Sequence, residues 1–160
     1  MKNILIIGGT KGIGKSIVDN LVDSNNIVCL SRNKPDFQHQ NFTHKEFDAL
    51  SDEYPEMENL DCLIYCPGSI NLKPISTLSL EDFRNDFEIN VMGAVKAIKK
   101  YLPLLKRSLS ASILLFSTVA TKLGMPYHAS VSVAKSGVDG LVKTLGSELA
   151  PKVRINAIAP

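Results

Sequence analysis

The sequence has no tryptophan, only three cysteines and a formal net charge of only +2. So small a charge lacks the positive field that attracts nucleic acid or an anionic membrane. The cysteines have no histidine or further cysteine at metal-ligand spacing, so no metal site is predicted. We therefore expect structural thiols, as in proteins of the reducing cytoplasm, with no metal ion, no nucleic-acid partner and no membrane partner.

Long apolar runs are also missing. The first nine residues hold one lysine and five apolar residues before a glycine pair, which is too short for a signal peptide. No stretch approaches the length of a membrane span. A chain of 160 residues fits one domain, so we expect a single cytoplasmic domain over residues 1–160.

What the sequence does have is short apolar runs that alternate with helix-length amphipathic segments. Brief, β-branched runs predict buried strands over residues 4–7, 27–30, 42–47, 62–66, 113–116 and 153–158. Helices are predicted over 12–23, about 80–107 and 129–150, and a surface loop over 31–40. This order predicts an α/β fold, a doubly wound, Rossmann-type parallel sheet in three αβα layers with both faces covered.

A glycine-rich turn follows the first predicted strand and leads into a helix. Glycines in this context let the backbone approach a pyrophosphate, which is held by the N–H groups and the dipole of the helix N-terminus. A tight turn without a ligand is the alternative, but the strand before and the helix after favour a dinucleotide site. The predicted cofactor-binding residues here are Gly8, Thr10, Lys11, Gly12, Ile13 and Gly14.

The end of the second predicted strand indicates which dinucleotide binds. An NAD site usually places an acidic residue there, but this strand runs into Ser31, Arg32 and Asn33. Arg32 and Lys11 put positive charge where a 2′-phosphate would lie, and the planar guanidinium suits phosphate oxygens. We expect NADP(H) in preference to NAD(H), with Ser31 and Arg32 in the site; the alternative is that both cations are solvated surface charges.

These features resemble the short-chain dehydrogenase/reductase family along essentially the whole chain. Gly8, Gly12 and Gly14 match its G-x-x-x-G-x-G glycines. Asp48-Ala49 is similar to the segment after the family's third strand, whose acidic side chain reaches the adenine. Further segments that resemble the family are FEINV, FSTVA, AKSGVDGL and RINAIAP, at 87–91, 116–120, 134–141 and 154–160. The resemblance implies an oxidoreductase that transfers a hydride between the cofactor and a small carbonyl or alcohol.

The resemblance also implies catalytic positions. In the family a Tyr gives the proton, a Lys four residues later lowers its pKa and holds the ribose, a Ser hydroxyl steadies the oxygen, and an Asn anchors a water. Asn90 and Lys135 match, and Thr118 keeps a hydroxyl at the Ser position. Lys135 therefore counts as both catalytic and cofactor-binding. Residues 66–68 stand where the family has Asn-Ala-Gly, and of these three positions only Gly68 is the same.

Val131 stands where the family has its Tyr, and a valine cannot donate a proton. Our hypothesis is that His128 donates it, because its side chain faces the Lys135 side and an ordinary pKa of about 6.5 suits a general acid. Pro126 is expected to open the helix and so to place Tyr127 on the stripe of Lys135, though about 12 Å along the axis. The alternative is that Tyr127 and His128 only line the pocket mouth.

Two functions stay open on this sequence. The first is the NADP-dependent oxidoreductase; the alternative is a non-catalytic dinucleotide-binding domain or an oligomer scaffold, which Val131 favours. Family members continue beyond position 160 with a nicotinamide-contacting turn, a substrate loop and a last strand. We therefore expect either a longer natural chain or a truncated domain with an open site. The resemblance also implies a homodimer or homotetramer formed through the two long helices.

Overall fold

Six strands form one sheet in the computed structural model, which describes all residues 1–160. The strands are β1 (Asn3–Ile7), β2 (Asn26–Ser31), β3 (Phe42–Glu46), β4 (Cys62–Tyr65), β5 (Ala111–Phe116) and β6 (Val153–Ile158). The helices are α1 (Gly12–Leu21), α2 (Leu80–Phe87), α3 (Gly93–Leu105), α4 (Ala120–Leu123) and α5 (Ala129–Leu149). A π-helical turn, Glu88–Met92, joins α2 to α3.

All neighbouring strands are parallel, in the order β3-β2-β1-β4-β5-β6. The predicted Rossmann-type, three-layer α/β fold is confirmed. The chain proceeds outward from β1 through β2 to β3 and then returns to pair β4 with the other side of β1, where Ile7 is opposite Tyr65. A ligand crevice is expected at this reversal, outside the carboxyl ends of the strands.

The core consists of two unequal clusters. On the face covered by α3 and α5, alternate strand residues such as Leu5, Leu63 and Ile113 are fully buried. On the other face α1 covers a smaller cluster that includes Ile6 and Val18. Burying each of these side chains contributes about 1.5–3 kcal/mol, so the larger cluster anchors α3 and α5 firmly beneath the site.

Helix α1 covers only about half of the sheet face on which it lies. Along β5 and β6 fully buried residues alternate with partly or fully exposed ones, among them Leu114, Phe116, Arg154 and Asn156. The prediction that strands are covered on both faces holds for β1 and is wrong for β5 and β6. The reason is that α1 is the only helix on this side, and it packs over β1 and its neighbours.

Three local predictions are also corrected. The single helix predicted over 80–107 is two α-helices and a π-helical turn, ending at Leu105. The first helix ends at Leu21, two residues early. Pro126 does not open α5, which begins at Ala129, and Tyr127 lies before the helix with a φ of 64°. Tyr127 is therefore not on the stripe of Lys135. The loop between β2 and β3 contains no helix, as predicted.

None of the helices combines the length and the hydropathy that a membrane-spanning segment needs.

Candidate functional site

A cleft of about 280 Å³ opens where the sheet order reverses, outside the carboxyl ends of β1, β2 and β4. The predicted cofactor residues that line it are Gly8, Thr10, Lys11, Ser31, Arg32, Asp48, Ala49 and Gly68. Gly12, Ile13, Gly14 and Lys135 are not among its lining residues. Residues from four separate stretches of the chain are thus brought together at one cleft.

The glycine turn has the geometry that a phosphate requires. Gly8 and Gly12 have φ angles of 80° and 54°, which side-chain-bearing residues rarely adopt. A Cβ on Gly14 would lie 2.1 Å from the carbonyl oxygen of Gly8, so only glycine lets α1 begin so close to β1. Helix α1 has no capping side chain and no acidic residue in its first turn. Its first N–H groups are therefore available to an anion.

A hydrogen-bonded group closes the end of the cleft near β2. Thr10 Oγ1 donates to Ser31 Oγ (3.2 Å), and Ser31 Oγ donates to the carbonyl of Asn33 (3.0 Å). His44 Nε2 lies 3.0 Å from Ser31 Oγ. Sequence reasoning missed His44, although its place on β3 opposite Cys29 puts it beside the end of β2. These contacts fix Ser31 and leave the next side chain, Arg32, in solvent.

The two cations predicted to meet a 2′-phosphate carry no counter-ion. Arg32 and Lys11 are both exposed at the edge of the cleft, and neither forms a salt bridge or donates a side-chain hydrogen bond. Lys15, by contrast, is already paired with Asp19 at 2.8 Å. Unpaired guanidinium and ammonium groups at the edge of one cleft favour an anionic ligand there.

Asp48 and Ala49 lie across the cleft, after β3. Asp48 Oδ1 accepts a hydrogen bond from the backbone N–H of Leu50 at 2.9 Å, which fixes the orientation of the carboxylate. No protein donor contacts Asp48 Oδ2. A carboxylate held in this way can accept a hydrogen bond from a ligand amine.

Lys135 and Asn90 converge on Gly68 in the wall of the cleft. A Cβ on Gly68 would lie 2.9 Å from Asn90 Oδ1 and 3.4 Å from Lys135 Nζ. Lys135 Nζ donates to the carbonyl oxygen of Phe116 at 2.7 Å. Burial lowers the pKa of Lys135, and the negative charge of Asp139 and the thiol of Cys66 oppose that effect. The ammonium group is therefore easier to deprotonate than that of an exposed lysine.

The π-helical turn presents Asn90. Such turns insert one residue into a helix and are frequent at functional sites. Asn90 Nδ2 donates to the carbonyl of Asp86 at 2.8 Å, while its buried Oδ1 has no protein partner. A buried amide oxygen without a hydrogen bond lowers stability by about 1–3 kcal/mol. A bound ligand or water that donates a hydrogen bond to Asn90 Oδ1 would remove this cost.

Thr118 and His128 occupy different surroundings. Thr118 Oγ1 accepts from the N–H of Ala120 at 3.3 Å, so its own proton is free to be donated. His128 is the residue before α5; its Nδ1 lies 2.6 Å from the carbonyl of Pro126, and its side chain lines a separate hollow with Lys73. Val131, which is 3% exposed, offers no polar atom. The structure thus groups Lys135 with Asn90 but places His128 outside the cofactor cleft.

Asp86 is a polar residue of this region that sequence reasoning missed. It is 0% exposed, and its carboxylate contacts the side chains of Ser69 and Asn71. An aspartate on an amphipathic helix ordinarily indicates the solvent face. Its spacing of four residues from Asn90 and eight from Ala94 was the available signal, because residues so spaced share one helix face.

Comparison with known proteins places this site in a family. The family described as short chain dehydrogenase matches residues 2–160. A 3-oxoacyl-(acyl-carrier-protein) reductase FabG from Staphylococcus epidermidis is 25% identical over 180 residues, covering 99% of this chain and 74% of that protein. A tropinone reductase homolog from Arabidopsis thaliana is 30% identical over 185 residues, covering 99% of this chain and 68% of that protein.

Solved structures share the fold. Ligand-free aldohexose dehydrogenase from Thermoplasma acidophilum superposes with a TM-score of 0.88 at 23% identity, over 99% of this chain and 66% of that chain. ElxO with NADP bound gives a TM-score of 0.87 at 25% identity, over 100% of this chain and 73% of that chain. The chain thus spans about two thirds to three quarters of these proteins.

Proposed function

This chain belongs to the short-chain dehydrogenase family of oxidoreductases. From that premise we propose that it transfers a hydride between NADP(H) and a carbonyl or alcohol group. The observation that carries the proposal is the cleft itself. It joins an uncapped helix N-terminus and close-approach glycines to two unpaired cations, Arg32 and Lys11. The NADP-bound ElxO structure supports the same cofactor.

The residues present fit this cofactor. The N–H groups of α1 would hold the pyrophosphate, Arg32 and Lys11 the 2′-phosphate, and Asp48 the adenine amine. Lys135, beside Gly68, would hold the nicotinamide ribose. When bound, NADP(H) supplies or accepts the hydride.

The chain's own residues would manage the charge that hydride transfer creates. As hydride reaches a carbonyl carbon, negative charge grows on the oxygen and must be met by hydrogen bonds and a proton. Thr118 has a free hydroxyl proton to donate to that oxygen. Lys135 supplies positive charge nearby, and Asn90 Oδ1 is free to hold a water beside it.

Val131 favours a second candidate function, a non-catalytic dinucleotide-binding domain or oligomer scaffold. Its side chain is aliphatic and buried, and it stands at the position where the resemblance to the family predicts the proton-donating Tyr. Retention of Lys135, Asn90 and a hydroxyl at Thr118 weighs against this alternative, because binding alone does not require all three.

We also propose self-association through the surface shared by α2 and α5. Three large apolar side chains are exposed on it: Leu80 at 74%, Phe87 at 40% and Val133 at 56%. Phe87 and Val133 line one shallow hollow between the two helices. Apolar surface of this kind on neighbouring helices is suited to a second copy of the same surface.

The first test is a titration with NADPH and with NADH, following nicotinamide fluorescence; the absence of tryptophan removes interference from energy transfer. We expect Arg32→Asp to weaken NADPH binding by about 10–100-fold, since a charged hydrogen bond contributes about 1.5–3 kcal/mol, and to change NADH binding little. Lys34→Asp is the matched control, because Lys34 is equally exposed but does not line the cleft.

Equal losses for the two cofactors in Arg32→Asp would refute the NADP assignment. A parent protein that binds neither cofactor would refute the whole proposal. Where NADPH binds, loss of its absorbance is then followed with a panel of small ketones and aldehydes. Binding without any oxidation would identify the non-catalytic function instead.

A further inference from the structure

His44 belongs to the hydrogen-bonded group at the β2 end of the cleft but does not line the cleft itself. The function proposed above gives it no task. It lies on β3, opposite Cys29, and is half-buried. Its Nε2 is 3.0 Å from Ser31 Oγ and 3.3 Å from the backbone carbonyl oxygen of Ser31. The imidazole thus contacts both oxygens of one residue at the end of β2.

The protons available at Ser31 indicate that His44 is the donor in both contacts. A carbonyl oxygen can only accept, so the contact with the Ser31 carbonyl requires an N–H on Nε2. The Ser31 hydroxyl has one proton, which it donates to the carbonyl oxygen of Asn33 at 3.0 Å. Its oxygen is therefore an acceptor towards His44, as it is towards Thr10 Oγ1 at 3.2 Å. The Nε2–H of His44 is shared between the two oxygens of Ser31.

Neither oxygen of Ser31 needs His44 in order to be paired. The carbonyl oxygen already accepts from the backbone N–H of Phe47 at 3.2 Å, and the hydroxyl already has Thr10 and Asn33 as partners. Loss of the imidazole would therefore leave no oxygen of Ser31 without a hydrogen bond, and an unpaired buried group is the main cost of removing a partner. What His44 adds is a further restraint on where Ser31 and the residues after it can lie.

The side chain that this restraint positions is that of Arg32. The hydroxyl of Ser31 bonds to the carbonyl of Asn33, two residues later, so Arg32 lies in the middle of a turn that a side chain closes. Arg32 is exposed, and its guanidinium has no protein partner of its own. The backbone of the turn therefore decides which part of the cleft the guanidinium can reach.

The same contacts hold the two free cations close to one another. Lys11 follows Thr10 and Arg32 follows Ser31, and the buried hydroxyls of Thr10 and Ser31 are 3.2 Å apart. Thr10 restrains Ser31 from the side of β1, and His44 restrains it from β3 on the other side of β2. The two backbones from which the cations extend are thus joined at one edge of the cleft.

We propose that His44 is a positioning residue for cofactor specificity: its Nε2–H holds the turn at residues 31–33 so that Arg32, with Lys11, meets the 2′-phosphate of NADPH. The inference rests on the NADP preference proposed above and deepens it. A guanidinium whose backbone is already fixed loses less freedom when the ligand arrives, so the restraint raises affinity. NADH has a hydroxyl in place of that phosphate, so His44 should affect NADH binding far less.

The test replaces His44 by glutamine and by methionine, whose side chains have the same length. Glutamine keeps an N–H near the position of Nε2, whereas methionine fills the space without a donor. We expect His44→Met to weaken NADPH binding by about 5–10-fold, as for the loss of one hydrogen bond, and NADH binding by less than about twofold. His44→Gln should stay within about twofold of the parent protein for both cofactors. Nicotinamide fluorescence gives each Kd.

His39→Met is the matched control. His39 is also half-buried and hydrogen-bonded, since its Nδ1 accepts from the N–H of Asn41 at 3.2 Å and its Nε2 lies 3.3 Å from Asp23. It does not line the cleft and does not contact Ser31. Both Kd values should therefore be those of the parent protein.

A double variant shows whether His44 acts through Arg32. Once Arg32→Ala has removed the guanidinium, His44→Met should weaken NADPH binding no further, because the turn then has no cation to position. The same 5–10-fold loss (about one decade at most) in the Arg32→Ala background would overturn the positioning role.

The other outcomes separate this inference from the function on which it rests. Equal losses for NADPH and NADH in His44→Met, without rescue by glutamine, would mean that His44 is only structural. Parent-like NADPH binding in His44→Met would overturn the inference, while a selective effect of Arg32→Asp would keep the NADP assignment. A parent protein that does not prefer NADPH would overturn both.

His44→Asn keeps the test decisive if the methionine variant binds neither cofactor. Asparagine is polar, but its amide is one methylene too short to reach the position of Nε2. It should therefore show the selective loss of NADPH affinity expected of methionine. Binding of NADPH by His44→Asn as tightly as by the parent protein would overturn the inference.

Discussion

Among single residues, Cys66 has the most altered chemistry in the cleft. Burial, assisted by the neighbouring Cys29 and opposed by Lys135, raises the pKa of its thiol to about 12. Only about one such thiol in 10⁴ is ionised at pH 8. Because the thiolate is the reactive form, Cys66 should be inert although it borders a ligand cleft.

We therefore expect iodoacetamide at pH 8 to alkylate Cys66 more than about 100-fold more slowly in the native protein than in urea, where its pKa returns to about 8.5. Saturating NADPH should slow the reaction again, because Cys66 lines the same cleft. The rate for each cysteine can be followed by peptide mass spectrometry, with the urea-unfolded protein as the control. Equal rates in the two states would contradict the raised pKa.

The site residues differ in how well a sequence predicts them. The place of Gly8 and Arg32 at the cleft was predictable, because each follows a predicted strand whose carboxyl end borders the cleft. The spacing of Asp86 from Asn90 indicates a shared helix face, but the contact of Asp86 with Ser69 was not predictable, because spacing does not show that the loop after β4 folds onto α2. The position of His128 near the start of α5 was predictable from the sequence. Its location outside the cleft was not, because that depends on the backbone conformation of Tyr127.

Among the elements, α2 carries both Asp86 and the approach to Asn90, and its first turn holds it in place. Ser79 Oγ accepts from the N–H of Asp82 at 3.0 Å, and Asp82 Oδ2 accepts from the N–H of Ser79 at 2.9 Å. Lys73 pairs with the same carboxylate at 3.0 Å, which ties the preceding loop to the helix. This capping box defines where α2 begins.

Ser79→Ala should lower the free energy of unfolding by about 1 kcal/mol, because a helix N–H loses its acceptor. Ser136→Ala is the matched control: Ser136 is exposed within α5, and the change there should be neutral or slightly stabilising. Urea unfolding followed by circular dichroism measures both. A Ser79→Ala protein as stable as the Ser136→Ala protein would show that the cap contributes nothing.

The helices and strands themselves were largely predictable, because apolar periodicity fixes their type and approximate ends. The π-helical turn was not, since one extra residue leaves the apolar stripe from Val91 to Leu105 almost unchanged. The open face of β5 and β6 was also missed. Its residues Leu114, Phe116 and Ile158 are as apolar as buried ones, and their exposure depends on which helices are present above them.

On the scale of the whole molecule, several buried acids keep their protons in the native state. Burial raises the pKa values of Cys29, Cys62 and Cys66, and likewise those of Tyr54, Tyr65 and Tyr101. In the unfolded chain these groups ionise at their ordinary pKa values. Above about pH 9 the native state therefore binds more protons than the unfolded state, so stability must fall as the pH rises.

We expect the free energy of unfolding to be highest near neutral pH and to decrease between pH 9 and 11. Cys66 alone accounts for a loss of about 1.4 kcal/mol per pH unit in that window. Urea midpoints at a series of pH values give the slope, and Cys66→Ala is the control that should reduce it by that amount. Stability that is constant or rising to pH 11 would contradict these pKa values.

The exclusively parallel sheet has a consequence for how the chain reaches this structure. No two adjacent strands can form as a hairpin, because each parallel pairing needs a crossover between its members. The central strand, β1, also pairs with β4, and the paired residues of these two strands are far apart in the sequence. Chain-closure entropy therefore opposes every step of sheet assembly before any pairing can stabilise it. Refolding should accordingly be slow for a protein of this length, on a scale of about milliseconds to seconds.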